Sequence, residues 1–92
     1  MRAQQASVAF RVVTPNPVRD RFGIVTPSGS GVASLEIIDA AGRRLVRVVA
    51  EAGHPLTWDM RVGQTARANP GVYFYRAMSG GQVLSGKLVV VR

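Results

Sequence analysis

The sequence predicts an all-β fold, a seven-stranded antiparallel immunoglobulin-like β-sandwich. Three observations carry that prediction. Short segments alternate apolar and polar residues at period two, and turn residues separate them at regular spacing. No stretch spaces apolar residues as an amphipathic helix would. At 92 residues the chain is one small domain. A domain of this size buries roughly 60–65% of its unfolded surface. With no cysteine, its stability rests on packing rather than on disulfides or thiolate metal sites.

Residues 1–6 are polar and patternless and read as a flexible lead-in or linker remnant; residues 7–92 form the domain. In 7–13, Val8, Phe10 and Val12 alternate with Ala9 and Arg11 as in a half-buried strand. Pro15-Asn16-Pro17 then fixes φ twice, which makes this a corner or an edge. In 20–26, Phe22 and Ile24 share a face, and the Pro27-Ser28-Gly29-Ser30-Gly31 loop ends the strand. In 32–39, Leu35 and Ile37 face one way. Asp39-Ala40-Ala41-Gly42 suits a type I turn, with the aspartate accepting backbone N–H bonds and the glycine taking φ > 0 at a closing bulge. The return strand, 43–50, has no unique inward face, because Leu45 and Val46 are both apolar and a bulge would switch parity.

After a loop over 51–55, Leu56 and Trp58 point inward, and 61–69 is a polar surface connection with no strand pattern. Pro70-Gly71 opens a strand that places Tyr73, Phe74 and Tyr75 in succession. Large rings on both faces of one strand predict a central strand covered on both sides. Gly80-Gly81, between Ser79 and Gln82, fits a primed hairpin turn. The last strand, 83–91, is interrupted by Gly86, which marks a bulge or a close backbone approach. The predicted core is Phe10, Phe22, Leu35, Ile37, Trp58, Tyr73, Phe74 and Tyr75.

The chain carries 12 Lys+Arg against 5 Asp+Glu, a net charge of +7, and all of the basic residues but Lys87 are arginine. Arginine favours bidentate contacts to phosphate or carboxylate, so an anionic partner, such as a surface polysaccharide, is admissible. No basic run is clustered in sequence, however, and solvated strand faces account for the same arginines. There is no transmembrane stretch and no signal-peptide segment after Met1. As written, the chain would stay in the cytoplasm. Work outside the cell requires that it be part of a longer exported protein, with Met1 an added start.

Site chemistry is sparse. His54 lies in a loop without ligating partners, and Asp59 suits an Asx-turn better than a catalytic triad. Ser28-Gly29-Ser30-Gly31 lacks the Lys-Ser/Thr of a phosphate-binding loop. The rings at 73–75 with nearby arginines have the ingredients of a single-strand nucleic-acid platform, but so few aromatics are needed for the core. The inventory calls for no cofactor, no metal, no specific nucleic acid and no enzymatic activity.

Taken together, Pro15-Asn16-Pro17, the 32–39 strand, Gly42-Arg43, Leu56-Thr57-Trp58-Asp59, Pro70-Gly71-Val72-Tyr73-Phe74-Tyr75-Arg76 and the segment from Lys87 to Arg92 resemble one family. It is the C-terminal sorting domains of proteins exported by the bacterial type IX (Por) secretion system. The immunoglobulin-like module of the flagellar hook-capping protein is closely similar. The resemblance spans about 14–92; a glycine often follows Trp-Asp in the hook-capping modules, where Met60 stands here. The resemblance implies a non-catalytic module at the end of a secreted protein, recognised by outer-membrane secretion machinery and bound for the cell surface. Its recognised element is expected in the terminal segment Lys87, Leu88, Val89, Val90, Val91 and Arg92, helped by the Gly80-Gly81 hairpin. The alternative is a structural or adhesive module that joins neighbouring subunits through exposed edges.

Overall fold

The computed structural model describes residues 10–14, 17–27, 29, 31–63 and 66–92, and it is all-β. The lead-in at 1–6, the first three residues (7–9) of the first predicted strand, and Pro15, Asn16, Ser28, Ser30, Gln64 and Thr65 lie outside the described residues. Nine strands are described: β1 (Arg11–Val12), β2 (Phe22–Val25), β3 (Val32–Ile38), β4 (Arg44–Glu51), β5 (Pro55–Trp58), β6 (Arg61–Val62), β7 (Ala66–Arg67), β8 (Gly71–Ser79) and β9 (Gln82–Val90). They pair antiparallel as β1-β2-β5, as β4-β3-β8-β9 and as the short ladder β6-β7.

The count of seven is thereby corrected. The two extra strands come from the segment read as a plain surface connection, where Arg61 pairs with Arg67 and Val62 with Ala66. Polar composition hid this hairpin because its apolar anchors flank the ladder rather than alternate within it. Met60 and Ala68 are both buried, and the Ala68 N–H donates to the Met60 carbonyl at 2.7 Å.

One apolar cluster joins the sheets. Phe22, Ile24, Leu56 and Trp58 enter it from the three-stranded sheet; Ala33, Leu35, Ile37, Tyr73, Ala77, Leu88 and Val90 enter it from the four-stranded one. Val18, between β1 and β2 in sequence, is also fully buried. The Trp58 indole N–H donates to the Arg61 carbonyl at 2.9 Å, and its ring meets Tyr73 edge-on at 6.0 Å. The Tyr73 hydroxyl donates to the Asn69 carbonyl at 2.6 Å, which ties the start of β8 to the preceding turn. Phe10 packs only partly buried against the cluster's rim, and Val12, expected inward, is 40% exposed in a strand of two residues.

β8 is central in its sheet, as expected, but only one of its faces is covered. Tyr73 and Tyr75 point to the core, whereas Phe74 is 42% exposed. Period-two geometry forces the middle ring of three consecutive rings onto the opposite face. Phe74 is therefore removed from the predicted core.

The turns follow their chemistry. Asp39 Oδ1 accepts from the N–H groups of Ala41 at 3.0 Å and Arg43 at 2.8 Å, and Gly42 takes φ 89°. Between β3 and β4, Ile38 pairs with Arg44 and Ile37 with Val46, so Leu45 is the bulged residue. That bulge lets Leu45 and Val46 both pack against the core and resolves the parity of the strand toward Val46, Val48 and Ala50. At the β8–β9 turn Ser79 pairs with Gln82, and Gly80 alone has positive φ, 62°, the pattern of a type II′ turn.

Candidate functional site

β9 is an edge strand whose one neighbouring strand in the sheet is β8. Its end is nevertheless covered. A parallel bridge joins Val18 to Val90: the Val18 N–H donates to the Val89 carbonyl at 2.8 Å, and the Val91 N–H donates to the Val18 carbonyl at 2.9 Å. The Arg19 guanidinium donates to the Arg92 carbonyl, and Arg67 donates to the Arg19 carbonyl at 2.7 Å while approaching Asp20 at 3.7 Å. The segment around Val18 is thus a clamp on the chain's last residues. It forms because Val18 is the one apolar side chain among Pro17, Arg19, Asp20 and Arg21, and burying it draws its neighbours alongside β9.

This clamp decides which parts of the expected recognition segment are available. Leu88 and Val90 are buried and serve the core; Lys87 and Arg92 are exposed, and Val89 and Val91 are half-buried. The backbone of Val89 and Val91 already pairs with Val18, so the segment is not a bare edge. Gly80 and Gly81 are exposed but lie at the other end of β9. At about 3.3 Å per residue the strand keeps turn and terminus some 25–30 Å apart, so the two parts of the expected site are not brought together. The turn instead fixes the register that delivers Leu88 and Val90 to the core.

Gly86 has a structural reason. β8 and β9 stay in register through Tyr75 opposite Gly86, so there is no bulge, and a Cβ on Gly86 would stand 2.6 Å from Tyr75 Cζ. The Tyr75 ring lies across the glycine and contacts Phe22, with ring centroids 4.9 Å apart.

The remaining candidates are simple. His54 is exposed, with Glu51 Oε1 at 3.9 Å from Nε2. Asp59 Oδ1 accepts from the Arg61 N–H at 3.2 Å, the expected Asx-turn. The Asp39 carboxyl is held below the usual aspartate range, first by the Arg43 backbone N–H and then by the Arg43 side chain and the Ala41 N–H, against partial desolvation.

One grouping escaped the sequence reading. On the exposed face of the four-stranded sheet, Glu36 Oε2 meets Arg44 Nη1 at 3.1 Å and Glu36 Oε1 lies 3.7 Å from Arg76 Nε, while Arg47 stands opposite Glu36 in the register. These residues are 8, 11 and 40 positions from Glu36 in sequence, so only strand pairing gathers them.

Among solved structures, the crystal structure of CopC from Methylosinus trichosporium OB3b matches with 22% identity and a TM-score of 0.49, over 88% of this chain and 92% of that one. No curated protein matches. The family model for the secretion system C-terminal sorting domain matches residues 12–91, which takes in every strand but the first residue of β1, and the chain belongs to that family of type IX secretion sorting domains.

Proposed function

We propose that the chain is a non-catalytic module of immunoglobulin-like sandwich form that directs an exported protein through the type IX system to the cell surface. The observation that carries this reading is the family match across residues 12–91. A shared core with strands from both larger sheets supports the sandwich form, and with it the relation to the hook-capping module.

The outer-membrane secretion machinery is the proposed partner, and the element that it reads is the end of β9. Because Val18 occupies the backbone there, recognition falls on the outward side chains of Lys87, Val89, Val91 and Arg92 rather than on strand addition. An anionic surface polysaccharide is a secondary partner consistent with a net charge of +7.

The test fuses residues 14–92 to a reporter with an export signal, in a cell with a working type IX system. The reporter should reach the surface. Val91→Glu with Arg92→Glu, which spares the buried Leu88 and Val90, should retain it in the periplasm. Surface delivery that needs no module ends the sorting reading, and unchanged delivery of the double variant ends the assignment of β9's end.

A further inference from the structure

The outer face of the four-stranded sheet is the largest feature that the core leaves unused. Among the described residues, most of the exposed large apolar side chains lie there: Val32, Val49, Val72, Phe74 and Val83. Cross-strand register orders this face into rows. Val49, Ser34, Met78 and Val83 form one; Arg47, Glu36, Arg76 and Ser85 the next; Arg44, Ile38, Phe74 and Lys87 the third. A groove of ≈ 400 Å³ opens between Ile38, Phe74, Arg76 and Lys87. It exists because β9 offers only Ser85 beside Arg76 on this face, so nothing large fills the space.

We infer that this face docks an acidic protein segment, with an apolar side chain seated on Phe74 and Ile38 and carboxylates flanking it on Arg76, Lys87, Arg44 and Arg47. The charge argument is direct. Two of these cations, Arg44 and Arg76, pair with one carboxylate, Glu36, whose side chain is only 12% exposed and which fixes both guanidiniums in place, and Arg47 stands opposite it. The face's other carboxylate, Glu51, lies at its far end opposite Val32. A second copy meeting face to face would oppose like charges, which disfavours self-association. An anionic bilayer would press lipid phosphates onto Glu36 at the middle of the face. Aromatic, methionine and arginine side chains together are the composition of protein interfaces. The inference goes beyond the sorting reading and uses none of the residues at 91–92 that test it.

The experiment is an amide NMR titration of the 92-residue chain with a short synthetic peptide carrying glutamates on both sides of a Phe-Leu pair. Shifts should concentrate at Ile38, Phe74, Arg76 and Ser85, weaken with added salt, and fall about tenfold in affinity for Phe74→Thr and for Arg76→Gln. Both variants keep the exposed positions β-compatible, and dispersed spectra confirm that they fold. Equal binding of the lysine analogue, or shifts centred on the Val18–Asp20 segment, overturns the proposal. So does binding to phosphatidylglycerol vesicles without binding to the peptide, or a free dimer in sedimentation whose contact is this face.

Discussion

At the residue scale, Met60 shows two demands meeting on one position. It is the only non-glycine residue with positive φ among the described residues, at 70°, and it is also fully buried. The left-handed backbone costs a residue with a Cβ about 1–2 kcal/mol, whereas truncating a buried methionine costs about 2–5 kcal/mol, so the side chain wins. Met60→Gly should therefore destabilise the domain despite relieving the backbone. Met60→Ala keeps the strain and loses the packing, so it should be the less stable of the two by roughly 0.5–1 kcal/mol after glycine's greater unfolded-state entropy is counted. Denaturant melts check the order, and an alanine variant above the glycine variant refutes the account. Gly86 is the complementary case. Gly86→Ala drives a methyl into the Tyr75 ring and should cost about 1–3 kcal/mol; most of that should vanish in a Tyr75→Ala background, because the ring is what the methyl meets.

At the element scale, the β3–β4 turn carries a pH signature. The folded pKa of Asp39 is depressed, so its contribution is present above the ordinary aspartate value and is lost as pH falls through the lowered one. Asp39→Asn keeps an oxygen acceptor for Ala41 and Arg43 but loses the charge. Melts between neutral pH and about pH 2 should therefore show a smaller acid loss of stability for Asp39→Asn than for the parent chain. This turn was legible in advance because its residues act locally: aspartate at the first position and glycine at the bulge dictate the hydrogen bonds whatever the rest of the chain does. The same holds for the Gly80 turn and for Leu56 and Trp58, whose alternation is unambiguous. What was not legible depends on pairing and packing that the residues' own alternation does not announce. The β6-β7 ladder is anchored by Met60 and Ala68 outside its paired residues, and the Leu45 bulge becomes visible only when Ile37 and Ile38 fix the register.

At the scale of the whole molecule, the same division separates what the terminal segment does for recognition from what it does for the fold. The leucine- and valine-rich run after the Gly80-Gly81 turn marked a strand, but Val18, isolated among prolines and charged residues, gave no sign that it would clamp that strand's end. The clamp and the core now share residues: Leu88, Val90 and Val18 are all buried, and Val18 is held to the segment by two backbone hydrogen bonds. Removing residues 87–92 deletes both buried side chains of β9's end and strands Val18 without its partner. Each large-to-small loss in a core costs about 1–5 kcal/mol, against about 5–15 kcal/mol for the stability of a whole domain. A domain of 92 residues without a disulfide has little reserve, so the truncated module should unfold or become highly dynamic, with collapsed amide dispersion. Val91→Glu with Arg92→Glu should instead retain native dispersion, since those side chains are half-buried and exposed. A well-folded truncation would show that the Val18 clamp contributes little. An unfolded one would mean that loss of export after truncation reports on stability, leaving the point variants as the measure of recognition.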